Sequence, residues 1–509
     1  MANSSVASYR RWAAAVLGFF AVCYALLALY NHYAFRTYAF DLGIFNQAQW
    51  DYAHGRLNVN SVLRYNNLLG DHFMVLQLAW APLYRLFGSY SLLLVQLAAV
   101  LLGGYGAYRL HVLRSAGQQP AAAVAQMAQF LSIWGIFSAL AFDFHDNVVA
   151  AMLLPWLVYF FEQDRRTPTL LVFAAMVLCK ENMALWLAFV CAGLAWLHWR
   201  VPRRRWLALG LAVVGVLYAA VVIKWVIPAF SEGRPYYHQH SYAALGSSPA
   251  AIIGNLLTHP AQLFQLVFQN TLPNTPEADG IKLELFLMVL LSGGLALLRR
   301  PAYLLMVAPI FAQKLLSSQF VHWGLNYQYS IEFVPVLNMA LGHWLLQARP
   351  RRAGQWGAAA ALLTLAATIT SLEVRVSKWH DKSASQFYLP RHYRRGFDVG
   401  TVHRALRLIP DTAAVTASSA LVPHLTARPY IFCFPEDVAR ANYVALLLND
   451  GATPLSEAEY QTQIAAFRAS PEWRVRFDQE TLLILERVQP LPTPPRRYFA
   501  RRINDPATP

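Results

Sequence analysis

Apolar runs of membrane-crossing length recur along this chain, and clusters of arginine separate them. Eleven such runs fall near residues 12–30, 89–108, 121–141, 147–161, 168–180, 183–199, 206–228, 283–298, 302–319, 328–347 and 355–372. About 20 apolar residues span the hydrocarbon core as one helix. Inside that core every backbone polar group needs an internal partner, so runs of this kind leave a chain little choice but a helical bundle. Charge supports the assignment: 14% of the 509 residues are Asp, Glu, Lys or Arg, against about 25% in a soluble protein. The expected fold is an all-α polytopic membrane bundle of about eleven transmembrane helices over residues 1–372.

Fifteen arginines fall on alternate connections: Arg10 and Arg11, Arg109 and Arg114, Arg165 and Arg166, Arg200 and Arg203 to Arg205, Arg299 and Arg300, and Arg349, Arg351 and Arg352. The positive-inside rule puts these connections in the cytoplasm. The N-terminus is then cytoplasmic, and residues 31–88, 142–146, 229–282, 320–327 and the tail from 373 lie outside. This bias accounts for the net charge of +15 without a nucleic-acid partner. The first run is longer than the apolar part of a signal peptide and reads as an uncleaved anchor.

One interval decides the parity of the count. Residues 168–199 form an apolar stretch broken at Lys180-Glu181-Asn182, with arginines beyond both ends. It must leave the cytoplasmic side and return. Two arms of about 15 residues reach roughly 22 Å each, short of a core of about 30 Å. The break therefore lies either in a thinned bilayer or on the floor of a cavity open to the outside.

Beyond residue 373 the pattern changes. AAVTAS, PYIFCF, NYVALLL, WRVRFD and TLLILER alternate as short strands, and SEAEYQTQIAAFRAS reads as a helix. Residues 373–490 are expected to form a small α/β domain outside the membrane, followed by a Pro/Arg-rich tail, 491–509. The four cysteines form no CxxC or Cys/His cluster, so neither a disulfide framework nor a zinc site is expected.

Five polar knots interrupt the apolar pattern. The connection 31–88 carries FDLGIFNQAQWDYAHG, whose spacing suits a helix lying at the membrane interface, with Asp41 at its start and Trp50 within it. Capping of that helix by Asp41 is the simpler alternative. LGDHF brings Asp71 and His72. FDFHD, 142–146, places Asp143 and His145 in a tiny connection. Lys180 and Glu181 break the hairpin, where mutual neutralisation is the plain reading. HWGLNYQY, with Tyr327, is followed by Glu332; aromatic anchoring explains its rings. All five fall on the outer side, and ionisable groups at membrane depth mark functional sites by default. One cavity at the outer leaflet, roofed by the tail domain, would gather them.

FDLGIFNQAQW, GDHF followed by APLYRLF, the FHD turn, CKEN, YQYSIEFVPVL and SSALVPHLTARPYIFCFP occur in order across most of residues 35–440. Together they resemble a bacterial multi-pass membrane family defined as domain of unknown function 2079. That family is in turn distantly similar to the GT-C glycosyltransferases. The resemblance implies a GT-C-like bundle with interfacial helices in its first outer loop, in the bacterial cytoplasmic membrane. It implies transfer of a sugar from a polyprenyl-phosphate donor to an acceptor outside, which is a glycan, lipid or protein. It also places a catalytic base at Asp41. The chain departs from the paired-acid motif, since Leu42 follows Asp41; a divalent cation stays open and no metal ligands are assigned.

The chemistry agrees with these roles. A positioned carboxylate takes the proton of the attacking hydroxyl and favours positive charge on the sugar ring. The leaving phosphate needs donors and positive charge, for which Lys180 stands first, His145 and His72 behind it, and Arg64 in the loop. Glu181 would orient Lys180. Asp71 would hold a sugar hydroxyl or a divalent ion, while Asp143, Trp50, Tyr327 and Glu332 would line the site. The alternatives are a lipid or sugar transporter or flippase, for which Lys224 and Lys314 are the further charges within spans, and a non-catalytic envelope scaffold.

Overall fold

The computed structural model describes residues 2–63, 67–231, 236, 241–242, 245–246, 248–377, 379–448, 452–479 and 481–492. The chain begins with helix α1, Ala2–Tyr33. A single π-helical turn, Ala39–Gly43, leads into α2, Ile44–Ala53. There follow α3 (Gln77–Phe87), α4 (Ser91–Arg114), α5 (Pro120–Ser132), α6 (Trp134–Leu140), α7 (Asp146–Glu162), α8 (Arg166–Cys179), α9 (Glu181–Leu197) and α10 (Pro202–Val221). The short α11 (Ile227–Phe230) precedes α12 (Pro249–Thr258), α13 (Pro260–Phe268), α14 (Ile281–Leu291), α15 (Pro301–Leu315), α16 (Phe333–Leu345) and α17 (Pro350–Glu373).

Every one of the eleven apolar runs is helical over most of its length. Length divides them. Among the described residues, four stretches are long and apolar enough to cross a membrane: Ser8–Tyr33, Gln77–Arg114, Pro202–Phe230 and Pro350–Glu373. A fifth is α5 with α6, bent by 44°. The helices α8, α9, α15 and α16 are apolar but shorter, so the count of eleven crossings does not follow from helix length. The reason is visible at Lys180, whose extended backbone (φ −164°, ψ 142°) ends α8 and starts α9. Lys180 thus divides the α8–α9 stretch into two short helices.

Helices meet where side chains are small, the usual device in a bundle without water. An added Cβ at Gly193 of α9 would sit 2.7 Å from Met306 of α15. The close partners are α4 with α7, α5 with α17, and α9 with both α10 and α15.

The tail opens with two short helices, α18 (Lys382–Ser385) and α19 (Val399–Leu406). The strands read from the sequence all form: β1 Val415–Ala417, β2 Ile431–Cys433, β3 Tyr443–Leu447, β4 Trp473–Gln479 and β5 Leu482–Arg487. The order is β2-β1-β3-β5-β4, with β2, β1 and β3 parallel and the last two antiparallel. The expected helix is α20, Glu457–Ala469, started by a Ser456/Glu459 capping box. Side chains alternate between faces along each strand. Val444, Leu446, Leu483 and Leu485 pack with Tyr460 and Ile464 of α20. Val415, Ile431, Ala445 and Ile484 belong instead to the core shared with the helical bundle. One face of the sheet is therefore seated on the bundle.

Candidate functional site

The turn that carries Asp41 is held from below and from above. Below it, Asp143 Oδ2 accepts the backbone N–H groups of Tyr38 (2.9 Å) and Leu42 (3.2 Å). Above it, the tail's Ser419 Oγ accepts the N–H of Ala39 at 3.1 Å. Gly43 lies against Val422 of the tail, whose Cγ1 would be 2.9 Å from an added Cβ. Asp41 makes no cap: the residue before the turn, Tyr38, fills that place without a side-chain bond. The Asp41 carboxylate, 27% exposed, instead faces His145 Nε2 at 3.0 Å.

His145 is fixed through its backbone and ring. Gln96 of α4 accepts the His145 N–H (2.8 Å) and donates to the Asp143 carbonyl (2.9 Å), clamping the tiny connection between α6 and α7. Phe142 stacks on the His145 ring (centroids 5.5 Å, 16°) and meets Tyr327 at 4.2 Å. Asp143 and Tyr327 both have positive φ, 51° and 61°, which non-glycine residues rarely adopt and which clusters at functional sites. Burial holds the Asp143 carboxyl well above the usual carboxylate range, and the nearby Asp41 charge adds to the rise. Burial lowers His145, against the pull of Asp41.

A second constellation sits at the break between α8 and α9. The buried Glu181 carboxylate receives His72 Nδ1 at 2.8 Å, the Phe73 N–H at 3.1 Å and the Tyr236 hydroxyl at 2.7 Å. Glu181 thus orients His72, not Lys180; adjacent residues at a helix start point apart. Lys180 itself is half-buried, and its ammonium makes no hydrogen bond or ion pair among the described residues. It lies within electrostatic reach of His145, Asp146 and Glu332. Asp71 ends the short turn Leu68–Gly70, whose Gly70 approaches the Phe230 carbonyl so closely that a Cβ would stand 2.7 Å from it.

The structure therefore brings Asp41, Asp143, His145 and Tyr327 together, and His72, Glu181 and Lys180 beside them. Glu332 accepts Asn147 Nδ2 at 3.1 Å. Trp50 lies nine residues along from Asp41, at the far end of α2, where its ring meets His54 (5.0 Å) and Arg56 (5.5 Å). Arg64 lies outside the described residues. Lys314 is committed to the Gly324 carbonyl (2.8 Å), the Tyr329 carbonyl and Ser330 (each 3.2 Å), so it braces the Tyr327 loop. Sequence reasoning passed over Gln96, Gln77, Asn147 and Ser419, and gave Asp146 no role beyond being the second carboxylate of the 142–146 connection. Gln77 donates to the buried Asp146 at 2.6 Å. The signal was present for Gln96, a polar residue inside an apolar run; Ser419 had none, since its partner is 380 residues away.

A family model described as a predicted membrane protein, DUF2079, matches residues 31–482. The chain belongs to the DUF2079 family. No curated protein matches it. Among solved structures, ArnT from Cupriavidus metallidurans bound to undecaprenyl phosphate is similar, with a TM-score of 0.52 at 14% identity over 95% of this chain and 98% of that one. That likeness shows the fold. The apo oligosaccharyltransferase of Archaeoglobus fulgidus has a TM-score of 0.37 at 13% identity, over 86% of this chain and 70% of that one. AglB from the same organism, in complex with an inhibitory peptide and a dolichol-phosphate, has a TM-score of 0.37 at 12% identity with the same coverage. The structural neighbours of this DUF2079 protein are thus GT-C glycosyltransferases.

Proposed function

We propose that this chain is an integral membrane glycosyltransferase, moving a sugar from a polyprenyl-phosphate carrier to an acceptor outside the bacterial cytoplasmic membrane. The observation that carries this reading is the Asp41–His145 pair, 3.0 Å apart, with the carboxylate partly exposed and the unpaired Lys180 close by. The fold shared with an enzyme bound to undecaprenyl phosphate supports the carrier class. On this reading all eleven apolar segments cross or enter the bilayer, the arginine-rich connections face the cytoplasm, and residues 373–490 stand outside as the roof of the cavity.

Asp41 takes the proton of the acceptor hydroxyl as that oxygen attacks the anomeric carbon. The bond from the anomeric carbon to the carrier's phosphate oxygen breaks, and the phosphate leaves with the electron pair. Lys180 and His72 stabilise its charge. His145 orients the carboxylate of Asp41, and Asp143 fixes the turn beneath it. Asp71, Tyr327 and Glu332 bound the sugar's space, and Arg64 is kept as a phosphate contact from the loop. Among the described residues no group of three His, Cys, Asp or Glu side chains is placed to hold a metal ion, and a divalent cation stays open. The acceptor is a glycan, lipid or protein.

The test uses the full chain in nanodiscs with a panel of radiolabelled polyprenyl-phosphate sugars. Wild type turns over one donor, and Asp41→Asn lowers that turnover by at least about 100-fold while inserting and folding normally. Equal turnover in the two proteins sinks the assignment of Asp41. Tight carrier binding with no turnover of any donor points to a flippase.

A further inference from the structure

The opposite end of the bundle holds a feature that glycosyl transfer does not use. The arginine-rich connections between helices, near residues 109–120, 162–166, 198–206, 292–301 and 346–353, contain two acidic residues, Glu162 and Asp164. Both are taken. Arg114 Nε bonds both Glu162 oxygens (3.1 and 3.0 Å), with His198 Nε2 at 3.5 Å. Arg204 Nη2 pairs with Asp164 Oδ2 at 2.8 Å. Arg205 lies over the rings of Trp199 and Trp206 at 4.7 and 5.0 Å. Arg200 and Arg300 are among the arginines at this end whose side chains have no hydrogen bond or ion pair among the described residues.

These two arginines line the same groove, of about 850 Å³, between α9, α10 and the start of α15. Its α9 wall is Ala192, Ala195 and Trp196, which at i, i+3 and i+4 share one helix face, and Trp199 follows in the turn after α9. The half-buried Ala192 and the buried Ala195 make a floor without bulky side chains, and two tryptophans, 54% and 59% exposed, stand beside it. Ala192 lies roughly 7 Å deeper along α9 than Leu197, so the groove runs from a basic rim down an apolar floor. That gradient is the shape of a lipid. Arginine binds phosphate bidentately, tryptophan favours the headgroup level, and basic pockets between helices hold anionic headgroups.

We propose that this groove seats one anionic phospholipid of the leaflet at the arginine-rich end, its phosphate on Arg200 and Arg300 and an acyl chain along Ala192 and Ala195. The proposal stands apart from the transferase reading, since no reacting group lies there. It is tested by native mass spectrometry of the full chain in detergent, titrated with phosphatidylglycerol or with phosphatidylcholine of the same acyl chains. Wild type retains one phosphatidylglycerol about 30-fold more tightly than phosphatidylcholine, two arginine contacts' worth. Arg200→Ala with Arg300→Ala removes the preference, and Arg351→Ala with Arg352→Ala, a pair at the same end but off the groove, keeps it. Ala192→Trp fills the floor, leaves every charge in place and also loses the lipid. Equal retention in the two arginine pairs, or full retention in Ala192→Trp, overturns the proposal. So does binding of soluble glycerol phosphate as tight as that of the lipid, which would make the site one for free phosphate.

Discussion

The Asp41 carboxylate and His145 Nε2 stand 3.0 Å apart although 104 residues separate them in sequence. Neither residue is held by its own helix. The Asp41 turn hangs on Asp143 and Ser419, and His145 hangs on Gln96. On the proposed reading, such preorganisation would fix a base before the acceptor arrives. His145→Ala should therefore lower kcat by about 10- to 100-fold with KM for the donor little changed, because the carboxylate remains but loses its orientation. His145→Gln, which keeps a donor near Asp41, should recover part of the loss. Steady-state kinetics on the same donor read both outcomes; an unchanged kcat in His145→Ala would remove the dyad from the mechanism.

Asp143 carries a pH dependence whose sign follows from its burial. The unfolded carboxyl ionises near pH 3.8, and the folded one well above that. Between the two values the unfolded chain releases a proton that the folded chain keeps. The stability this group supplies is complete below the lower value and is lost as pH rises towards the higher one. Asp143→Asn has no proton to lose, and its amide oxygen still accepts the N–H groups of Tyr38 and Leu42. Its thermal midpoint should exceed that of wild type at pH 7 and match it at pH 4. Asp143→Ala, which strands two buried N–H groups, should cost about 1–3 kcal/mol for each of them. A gap between wild type and Asp143→Asn that does not grow with pH would reject the raised carboxyl.

Much of this arrangement is written locally. The apolar runs mark their helices because each residue of a span answers to the same solvent. The tail's strands are legible because alternation at Val444 to Leu447 and Leu482 to Leu485 serves two faces, one against α20 and one against the bundle. The capping box at Ser456 and Glu459 fixes where α20 begins. The five polar knots were legible as a group because each falls in a connection that lacks the arginine clusters. What the chain does not show locally is pairing. Glu181 stands next to Lys180 in sequence but turns to His72, 109 residues away, because an adjacent pair at a helix start cannot face each other. Trp50 shares an apolar pattern with Asp41 yet faces His54 and Arg56, since a ten-residue helix carries its two ends far apart. The number of crossings fails for another reason: short helices such as α8 and α9 satisfy hydropathy without satisfying length.

Lys180 and Glu181 are adjacent and should respond differently to truncation. The Lys180 ammonium has no hydrogen bond or ion pair among the described residues, while Asp146, Glu181 and Glu332 lie within electrostatic reach, so Lys180→Ala breaks no direct bond. Its thermal stability should stay close to that of wild type. Its kcat/KM should fall by about 10- to 100-fold if the ammonium meets the donor's phosphate, in keeping with about 1.5–3 kcal/mol for a hydrogen bond to a charged group. Glu181 holds three donors in a buried position, and Glu181→Ala should destabilise by about 3–5 kcal/mol. Denaturation in detergent and donor titration separate the two effects. A Lys180→Ala protein that loses stability and keeps kcat/KM would make Lys180 a structural residue.

The seating of the tail on the Asp41 turn gives a prediction that needs no substrate. Gly43 and Val422 meet so closely that a methyl group at residue 43 has no room, with Val422 Cγ1 at 2.9 Å and the Tyr38 carbonyl at 3.4 Å from it. Gly43→Ala should therefore destabilise the protein by about 1–3 kcal/mol, the usual cost of overpacking. Val422→Ala alone opens a small void and costs about 1–2 kcal/mol. The two errors compensate, because the alanine methyl enters the space that valine vacates. The double variant should then be more stable than the sum of the single losses by about 1 kcal/mol or more, a coupling expected only of residues in contact. Thermal unfolding of the four proteins in one detergent measures it. Additive losses would mean that the tail does not rest on the turn, and Ser419 would lose its place as a support of Asp41. Coupling would show that the tail and the Asp41 turn are one packed unit, so that a change in the tail reaches Asp41 through Val422 and Ser419.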